Sequence, residues 1–411
     1  MSGVVLVGAG HAGVEAAAAL RAGGYPGPVT VVGAEGRTPY ERPPLSKEML
    51  DDGADPAAFS LRPEAFFDDR RISLIAGPAV AVDRARRVVE LAGGRCVGYD
   101  HLVLATGATP RRLDLPGVAL HGVAELRTLD DALALRSSLA GAKRLVVLGG
   151  GFIGMEIASA ARKRGVDVSV LEVNDRVLSR VVTPPVSDAV AAHHRAEGVR
   201  LCLGERAARV VGRDGRATGV MTDRGTLLPA DLVVLGVGAT AEDGLAAAAG
   251  LATDNGVLVD PWLTTSDPRI SAIGDCAVVR DPATGTARRL ESIQNATDQG
   301  RYVASRILGE TRRYHAVPWF WSNQGSLKLQ LVDVAGEHDR RVVSGGAARF
   351  SVLCFRNGLL TAVESVNDPG THLAARRLLD RMTPTESELL DVDYNLRALA
   401  RRVIAGESAV A

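Results

Sequence analysis

The chain has 411 residues, room for two or three domains of about 150 residues each. Apolar residues make up 46% and charged residues 23%, which excludes a disordered or fibrous chain and allows several buried cores. The 48 Lys+Arg balance 48 Asp+Glu, so the net charge implies no polyanion-binding surface, although a local basic patch is compatible with it.

An apolar strand over residues 3–7 leads straight into a glycine turn, an Ala-rich helical run over 14–22, and a β-branched strand over 29–32 followed by Glu35. A buried strand and a second Gly turn follow over 99–109. The same order then recurs: strand 144–148, glycine turn, helical run 155–164, and strand 167–171 followed by Glu172. Residues 230–240 repeat the pattern of 99–109, so each half closes on a strand and a Gly turn. A further strand pair lies between 255 and 276. After about Pro318 the texture changes to strands over 327–332, 350–355 and 359–366, then to helical segments over 370–382 and near the C-terminus, which reads as a separate α+β domain.

No basic leader, apolar h-region or small-residue cleavage site precedes the first strand. The longest weakly charged stretch, 145–161, is Gly-rich and interrupted by Glu156, a poor span against the ~20 apolar residues a membrane helix needs. A reducing cytoplasm is therefore the expected location. Cys96, Cys202, Cys276 and Cys354 lie far apart, with the spacing of neither a metal knuckle nor a local dithiol, so no metal site is expected.

The two glycine turns are Gly-x-Gly-x-x-Gly fingerprints: Gly8, Gly10 and Gly13, with Ala12 inside the first, and Gly149, Gly151 and Gly154, with Phe152 and Ile153 inside the second. The first Gly makes the tight turn, the second admits a pyrophosphate against the backbone, and the third lets helix and strand pack closely. The helix N-terminus adds N–H donors and partial positive charge. Glu35 and Glu172 stand where a carboxylate accepts hydrogen bonds from an adenosine ribose. At Glu172 that carboxylate also repels a 2′-phosphate and favours NADH over NADPH, a preference that Arg176 and Arg180 nearby would weaken. Two βαβ units of about 30 residues thus give an α/β fold: two Rossmann-like dinucleotide-binding domains plus the C-terminal α+β domain. Two dinucleotides on one chain imply electrons passing between them.

The chain resembles the FAD-dependent, NADH-using ferredoxin reductases of bacterial cytochrome P450 and aromatic-ring dioxygenase systems, the putidaredoxin reductase-like family. The residues that carry this run the length of the chain: the first fingerprint, Tyr40-Glu41-Arg42-Pro43-Pro44-Leu45-Ser46-Lys47, Ala105-Thr106-Gly107, the 149–156 run Gly-Gly-Gly-Phe-Ile-Gly-Met-Glu, Gly236-Val237-Gly238-Ala239, Gly274-Asp275 and Val317-Pro318-Trp319-Phe320-Trp321-Ser322. The resemblance implies a glutathione reductase-like arrangement: an FAD domain from residues 1–108 and 240–316, an NADH domain over 109–239 inserted in it, and a C-terminal domain over 317–411. It implies that Glu35, Arg42, Pro44, Lys47, Thr106, Gly107, Arg111, Gly274, Asp275 and Trp321 serve FAD, and that Glu156, Gly236, Val237 and Gly238 join the second fingerprint at NADH. Lys47, Glu156 and Trp321 are the expected catalytic residues: a cation near the flavin stabilises its reduced anion, and a paired Glu keeps that Lys charged and oriented. Without the family Trp319 and Trp321 read as core aromatics, and Lys47 with Glu156 as a structural salt bridge.

The expected reaction passes electrons from NADH through FAD, one at a time, to a separate [2Fe-2S] ferredoxin docking near Arg301 and Arg397, on a reductase that is a monomer or weak dimer. Two rivals remain. A flavin disulfide or peroxide reductase needs a reactive Cys near the flavin, yet residues 14–50 contain none and Cys276 is the sole candidate. A redox-responsive protein of apoptosis-inducing-factor type would bind both cofactors and use a different acceptor.

Overall fold

A computed structural model describes residues 3–280, 285–334 and 336–410. The chain divides into two compact units, Met1–Pro44 with Asp55–Arg111 and Ala239–Ala316, and Leu45–Ala54 with Arg112–Gly238 and Val317–Ala411.

In the first unit the strand Gly3–Val7 is buried throughout, as its unbroken apolar run requires of a parallel strand covered on both faces. It pairs in parallel with Val29–Gly33 and with Cys96–Leu104. Ile72–Ala76 extends the sheet in parallel on one side, while Val88–Leu91 and Ala79–Asp83 join antiparallel on the other. Ile270–Ala272 also lies in parallel on Cys96–Leu104. The helices His11–Ala22 and Ile293–Ile307 pack closely because Gly300 leaves room: a Cβ there would stand 2.8 Å from the Ala12 carbonyl oxygen. Helix His11–Ala22 starts three residues before the apolar-run reading of 14–22, since the third fingerprint glycine belongs to its first turn.

The second unit contains a parallel five-stranded sheet in the order Arg200–Leu203, Asp167–Glu172, Arg144–Leu148, Leu232–Leu235, Val123–Ala124. A small antiparallel sheet runs in the order Ala207–Arg213, Arg216–Thr222, Leu227–Pro229, and a larger antiparallel sheet in the order Trp319–Gln324, Leu327–Val332, Leu359–Val366, Arg349–Arg356, Arg340–Gly346. The first and last strands of that sheet escape a sequence reading because Trp319–Gln324 lacks clean alternation and Arg340–Gly346 is polar and exposed along most of its length. The segment Leu45–Ala54 is tied down here by chemistry outside its own sequence. Leu50 is fully buried in the apolar core of this unit. Lys163 grips Asp51 at 2.9 Å, Arg164 donates to the Leu50 carbonyl and to Asp52, and Arg136 donates to the Ala54 carbonyl at 2.9 Å.

Candidate functional site

The glycines of each fingerprint divide by cause. Gly8 has φ +120°, and a Cβ on it would lie 2.0 Å from the Ala105 carbonyl oxygen; one on Gly13 would lie 2.0 Å from the Gly8 carbonyl oxygen. In the second copy Gly149, at φ +109°, meets the Gly236 carbonyl oxygen at 2.3 Å and Gly154 meets that of Gly149 at 2.2 Å. Packing of the chain on itself therefore requires the first and third glycines. Nothing lies within 4 Å of a Cβ built on Gly10 or Gly151, so the chain's own packing gives no reason for the middle one.

Gly10 and Gly151 are also the N-caps of helices His11–Ala22 and Phe152–Lys163, and neither helix has a side-chain cap or an acid in its first turn. Thr128, Ser292 and Thr385 cap three other helices, each accepting from a first-turn N–H; Glu64–Asp69, Pro184–Ala196, Gly244–Ala248 and Pro369–Leu379 also lack a side-chain cap, but none of these has a glycine at the N-cap. Uncapped helix N-termini keep unsatisfied N–H donors and the positive end of the dipole. The two turns thus fit two dinucleotide diphosphates. Ala12 is buried in the first turn of its helix, Phe152 packs edge-on against Phe320 with centroids 5.2 Å apart, and Ile153 is exposed.

Glu35 is engaged by its own neighbours, with Arg42 Nη2 2.7 Å from Oε1 and the Tyr40 hydroxyl on Oε2. Glu172, only 8% exposed, accepts from the Gly150 N–H at 2.7 Å through Oε2, and from the Asn174 backbone and side-chain amides at 2.9 and 2.6 Å through Oε1. It therefore braces the second fingerprint, a role the sequence did not suggest. Arg176 spends its guanidinium on the Val182 and Ser179 carbonyls, both at 2.8 Å. Exposed Arg180 stands beside Gly238, whose Cβ would lie 3.4 Å from its Nη2. Gly236 and Val237 form the turn after Leu232–Leu235.

Thr106 donates its hydroxyl to the Glu242 carbonyl at 2.5 Å, and the Gly107 carbonyl accepts from the Glu242 N–H at 2.9 Å. Gly274, at φ +75°, donates its N–H to Gln299 at 2.7 Å, and the Asp275 carbonyl accepts from Arg289 at 3.1 Å. Pro44 lies in the short 3-10 helix Pro43–Ser46, and Arg111 is exposed just beyond Ala108–Pro110. Desolvation pulls His11, at the start of the first helix, down to about 4, helped by the charges of Arg42 and Arg62.

Lys47 and Glu156, distant in sequence, meet inside the second unit with Nζ to Oε2 at 2.6 Å. The carboxylate is 5% exposed. The Ser46 hydroxyl also donates to Oε2, at 2.5 Å, and the Ser322 hydroxyl donates to Oε1 at 2.6 Å. Ser46 and Ser322 were not singled out by the sequence, although Ser322 and Gln324 share one face of strand Trp319–Gln324 by its period of two. Trp321, on the opposite face, is 40% exposed and stacks on Trp319 at 5.6 Å; Arg376 lies over the Trp319 ring at 3.7 Å.

All four cysteines are free thiols. Burial pushes the Cys276 thiol up, and its Sγ contacts the Ile273 and Leu104 carbonyls at 3.3 and 3.6 Å. It is thus a poor nucleophile, which weighs against thiol-based reduction. No group of metal-ligating side chains occurs among the described residues, and none of their helices is long and apolar enough to cross a membrane.

A chain with two uncapped glycine turns on parallel βαβ units, and no redox dithiol, has the make-up of a flavin and pyridine nucleotide oxidoreductase. The chain belongs to the pyridine nucleotide-disulphide oxidoreductase family, which matches residues 2–300, and carries a reductase C-terminal domain matching 319–400. It is 45% identical to rhodocoxin reductase of Rhodococcus erythropolis over 97% of this chain and 94% of that one. To rubredoxin-NAD(+) reductase of Pseudomonas putida it is 41% identical, over 89% and 96%. The crystal structure of the ferredoxin reductase for the CYP199A2 system of Rhodopseudomonas palustris superposes with a TM-score of 0.94 at 44% identity, covering 97% of this chain and all of that one. The covalent putidaredoxin reductase-putidaredoxin complex gives 0.92 at 37%, covering 98% of each chain.

Proposed function

We propose that this chain is an NADH-dependent, FAD-containing reductase that delivers single electrons to a [2Fe-2S] ferredoxin serving a P450 or ring-hydroxylating oxygenase. The observation that carries the reading is the pair of open, uncapped fingerprints, one on each unit, in a chain without a reactive dithiol. Bound FAD supplies a carrier that takes an electron pair from NADH and releases electrons one at a time. Residues 1–108 and 240–316 bind it, 109–239 bind NADH, and 317–411 complete the molecule.

On the second unit the N–H groups after Gly151 take the NADH diphosphate, and Glu172 selects against a 2′-phosphate. Glu156 lies little more than a turn into the same helix. As NADH loses its electron pair the nicotinamide ring becomes cationic, and a carboxylate fixed beside it favours that change. Lys47 balances the carboxylate and presents a cation to the electron-rich side of the reaction, with Trp321 as the third member of the reacting surface.

Arg301 on the first unit and Arg397 on the second are each candidate contacts for the acceptor. Arg301, 62% exposed, is paired with Glu15 at 2.7 Å, and Arg397 with Asp368 at 2.5 Å. Both side chains are therefore held in fixed directions, though with part of their charge offset. The relatives named as rubredoxin-NAD(+) reductases make a rubredoxin the alternative acceptor. NADH oxidation with ferricyanide, then with a [2Fe-2S] ferredoxin or a rubredoxin plus cytochrome c, tests the reading. Turnover with ferricyanide but with neither protein refutes it and favours a redox-responsive protein.

A further inference from the structure

The donors on Glu156 do not end at Ser322. Gln324 donates its side-chain amide to Ser322 Oγ at 2.8 Å and, at a longer 3.4 Å, to the Phe152 carbonyl. The other end of that amide, Oε1, lies 3.1 Å from His194 Nε2, on helix Pro184–Ala196. Ser322, Gln324 and His194 are all buried, the last two completely. The Phe152 carbonyl can only accept, which fixes the Gln324 NH₂ on the Ser322 side and its oxygen toward His194. Every hydrogen in the chain then points one way: His194 N–H to Gln324, Gln324 N–H to Ser322, Ser322 O–H to Glu156.

We propose that His194 and Gln324 are positioning residues for Glu156: the neutral Nε2–H tautomer of His194 sets the polarity of a buried hydrogen-bond chain that holds the carboxylate on Lys47. This rests on the proposed function in placing Glu156 beside the nicotinamide. The chain is static and moves no proton. His194 Nδ1 is buried without a partner among the described residues, so nothing there leads to solvent. Burial holds His194 down to about 4 against the upward pull of its hydrogen bond to Gln324, with a weaker downward push from the neighbouring His193 ring at 5.6 Å, which keeps it neutral at working pH. Were the proton on Nδ1 instead, Nε2 would accept, Gln324 would turn over, and the Ser322 hydroxyl would point at Gln324 Oε1 and away from Glu156. Oε1 of Glu156 would then face an oxygen lone pair instead of a donor. Groups in a directional, dry network act as a unit, so removing one member far from the carboxylate should still be felt at it.

The experiment uses the full-length holoprotein. ¹⁵N-histidine NMR, with His194 assigned by its loss in His194→Gln, should show the Nε2–H tautomer; an Nδ1–H signal overturns the proposal. In rapid mixing with NADH, Gln324→Leu should lower the limiting rate of flavin reduction about tenfold, the equivalent of ~1.4 kcal/mol, with the NADH dissociation constant changed less than threefold. His194→Leu should slow it several-fold, while His194→Gln, which keeps an N–H donor near Nε2, should retain at least half the rate. If Gln324→Leu does not fold, the His194 pair carries the test. Equal limiting rates for His194→Leu and His194→Gln, whatever their melting temperatures, reduce the chain to packing and overturn the proposal. A wild-type flavin that NADH fails to reduce overturns the functional reading, and this inference with it.

Discussion

Glu172 braces the second fingerprint and is proposed to select the nucleotide, and replacing it tests both. In Glu172→Ala the Gly150 N–H, buried at the heart of the second fingerprint, loses its acceptor, whereas the Asn174 amides can turn to water because Asn174 is exposed. One orphaned buried N–H costs about 1–3 kcal/mol. At roughly 2–4 °C per kcal/mol for a unit of this size, the melting temperature should fall by about 2–12 °C. Glu172→Gln should lose less stability, because its amide oxygen can still accept from the Gly150 N–H, yet stay below wild type, since its NH₂ then faces the Asn174 amides. The same change removes the carboxylate proposed to meet the ribose and repel a 2′-phosphate. Tenfold discrimination needs only ~1.4 kcal/mol, so wild type should favour NADH at least tenfold in kcat/KM and both variants should lose most of that. Thermal melts and rapid-mixing reduction with NADH and NADPH measure the two effects. A Glu172→Gln protein with the wild-type melting temperature and preference would refute the reasoning.

Purified protein should be yellow, with one tightly held FAD per chain, and a colourless protein that takes up no FAD contradicts the assignment. Gly10→Ala should lower FAD affinity while costing under about 1 kcal/mol of stability, whereas Gly13→Ala drives a Cβ into the Gly8 carbonyl and should cost about 3 kcal/mol or prevent folding; equal stability of the two variants would show the turn to be more compliant than its geometry. Lys47→Met should slow flavin reduction and lower the flavin potential, and unchanged rates would assign Lys47 to structure. Burial lowers His11, His194 and His372 to about 4 and His101 to about 3, below their unfolded values, so the unfolded chain binds more protons. Stability is then full above pH ~6.5 and falls as the pH drops toward 4, with proton uptake on unfolding measurable by calorimetry in buffers of different ionisation heat. Electron transfer to ferredoxin should weaken as salt rises past physiological strength, where the Debye length is ~8 Å. Arg301→Ala, which avoids a like charge beside Glu15, should raise KM for ferredoxin and leave NADH reduction of the flavin intact; unchanged ferredoxin kinetics at low salt would place docking elsewhere.

Local chemistry carried the parts of this protein that a sequence can hold. Strand, glycine turn and helix are consecutive in each βαβ unit, and steric necessity at Gly8, Gly13, Gly149 and Gly154 is written in residues within about a dozen positions of one another or in the matching strand ends. The C-terminal strands Leu327–Val332 and Leu359–Val366 were legible because their buried positions are continuous enough to show a period. The closing of Lys47 on Glu156 was anticipated from family likeness, because nothing in either segment encodes a contact across 109 residues. Tertiary structure decided the rest. It seats Leu50 and its neighbours on the second unit, directs Ser46 and Ser322 onto one carboxylate, and sets Gln324 against His194. It also spends Arg176 on backbone carbonyls and leaves Arg180 exposed, a distinction two nearby arginines in a sequence cannot express. The physical reason is common to all of these: a buried polar group must find its partner wherever the packed chain brings one, and packing over long separations depends on the whole core and not on local spacing.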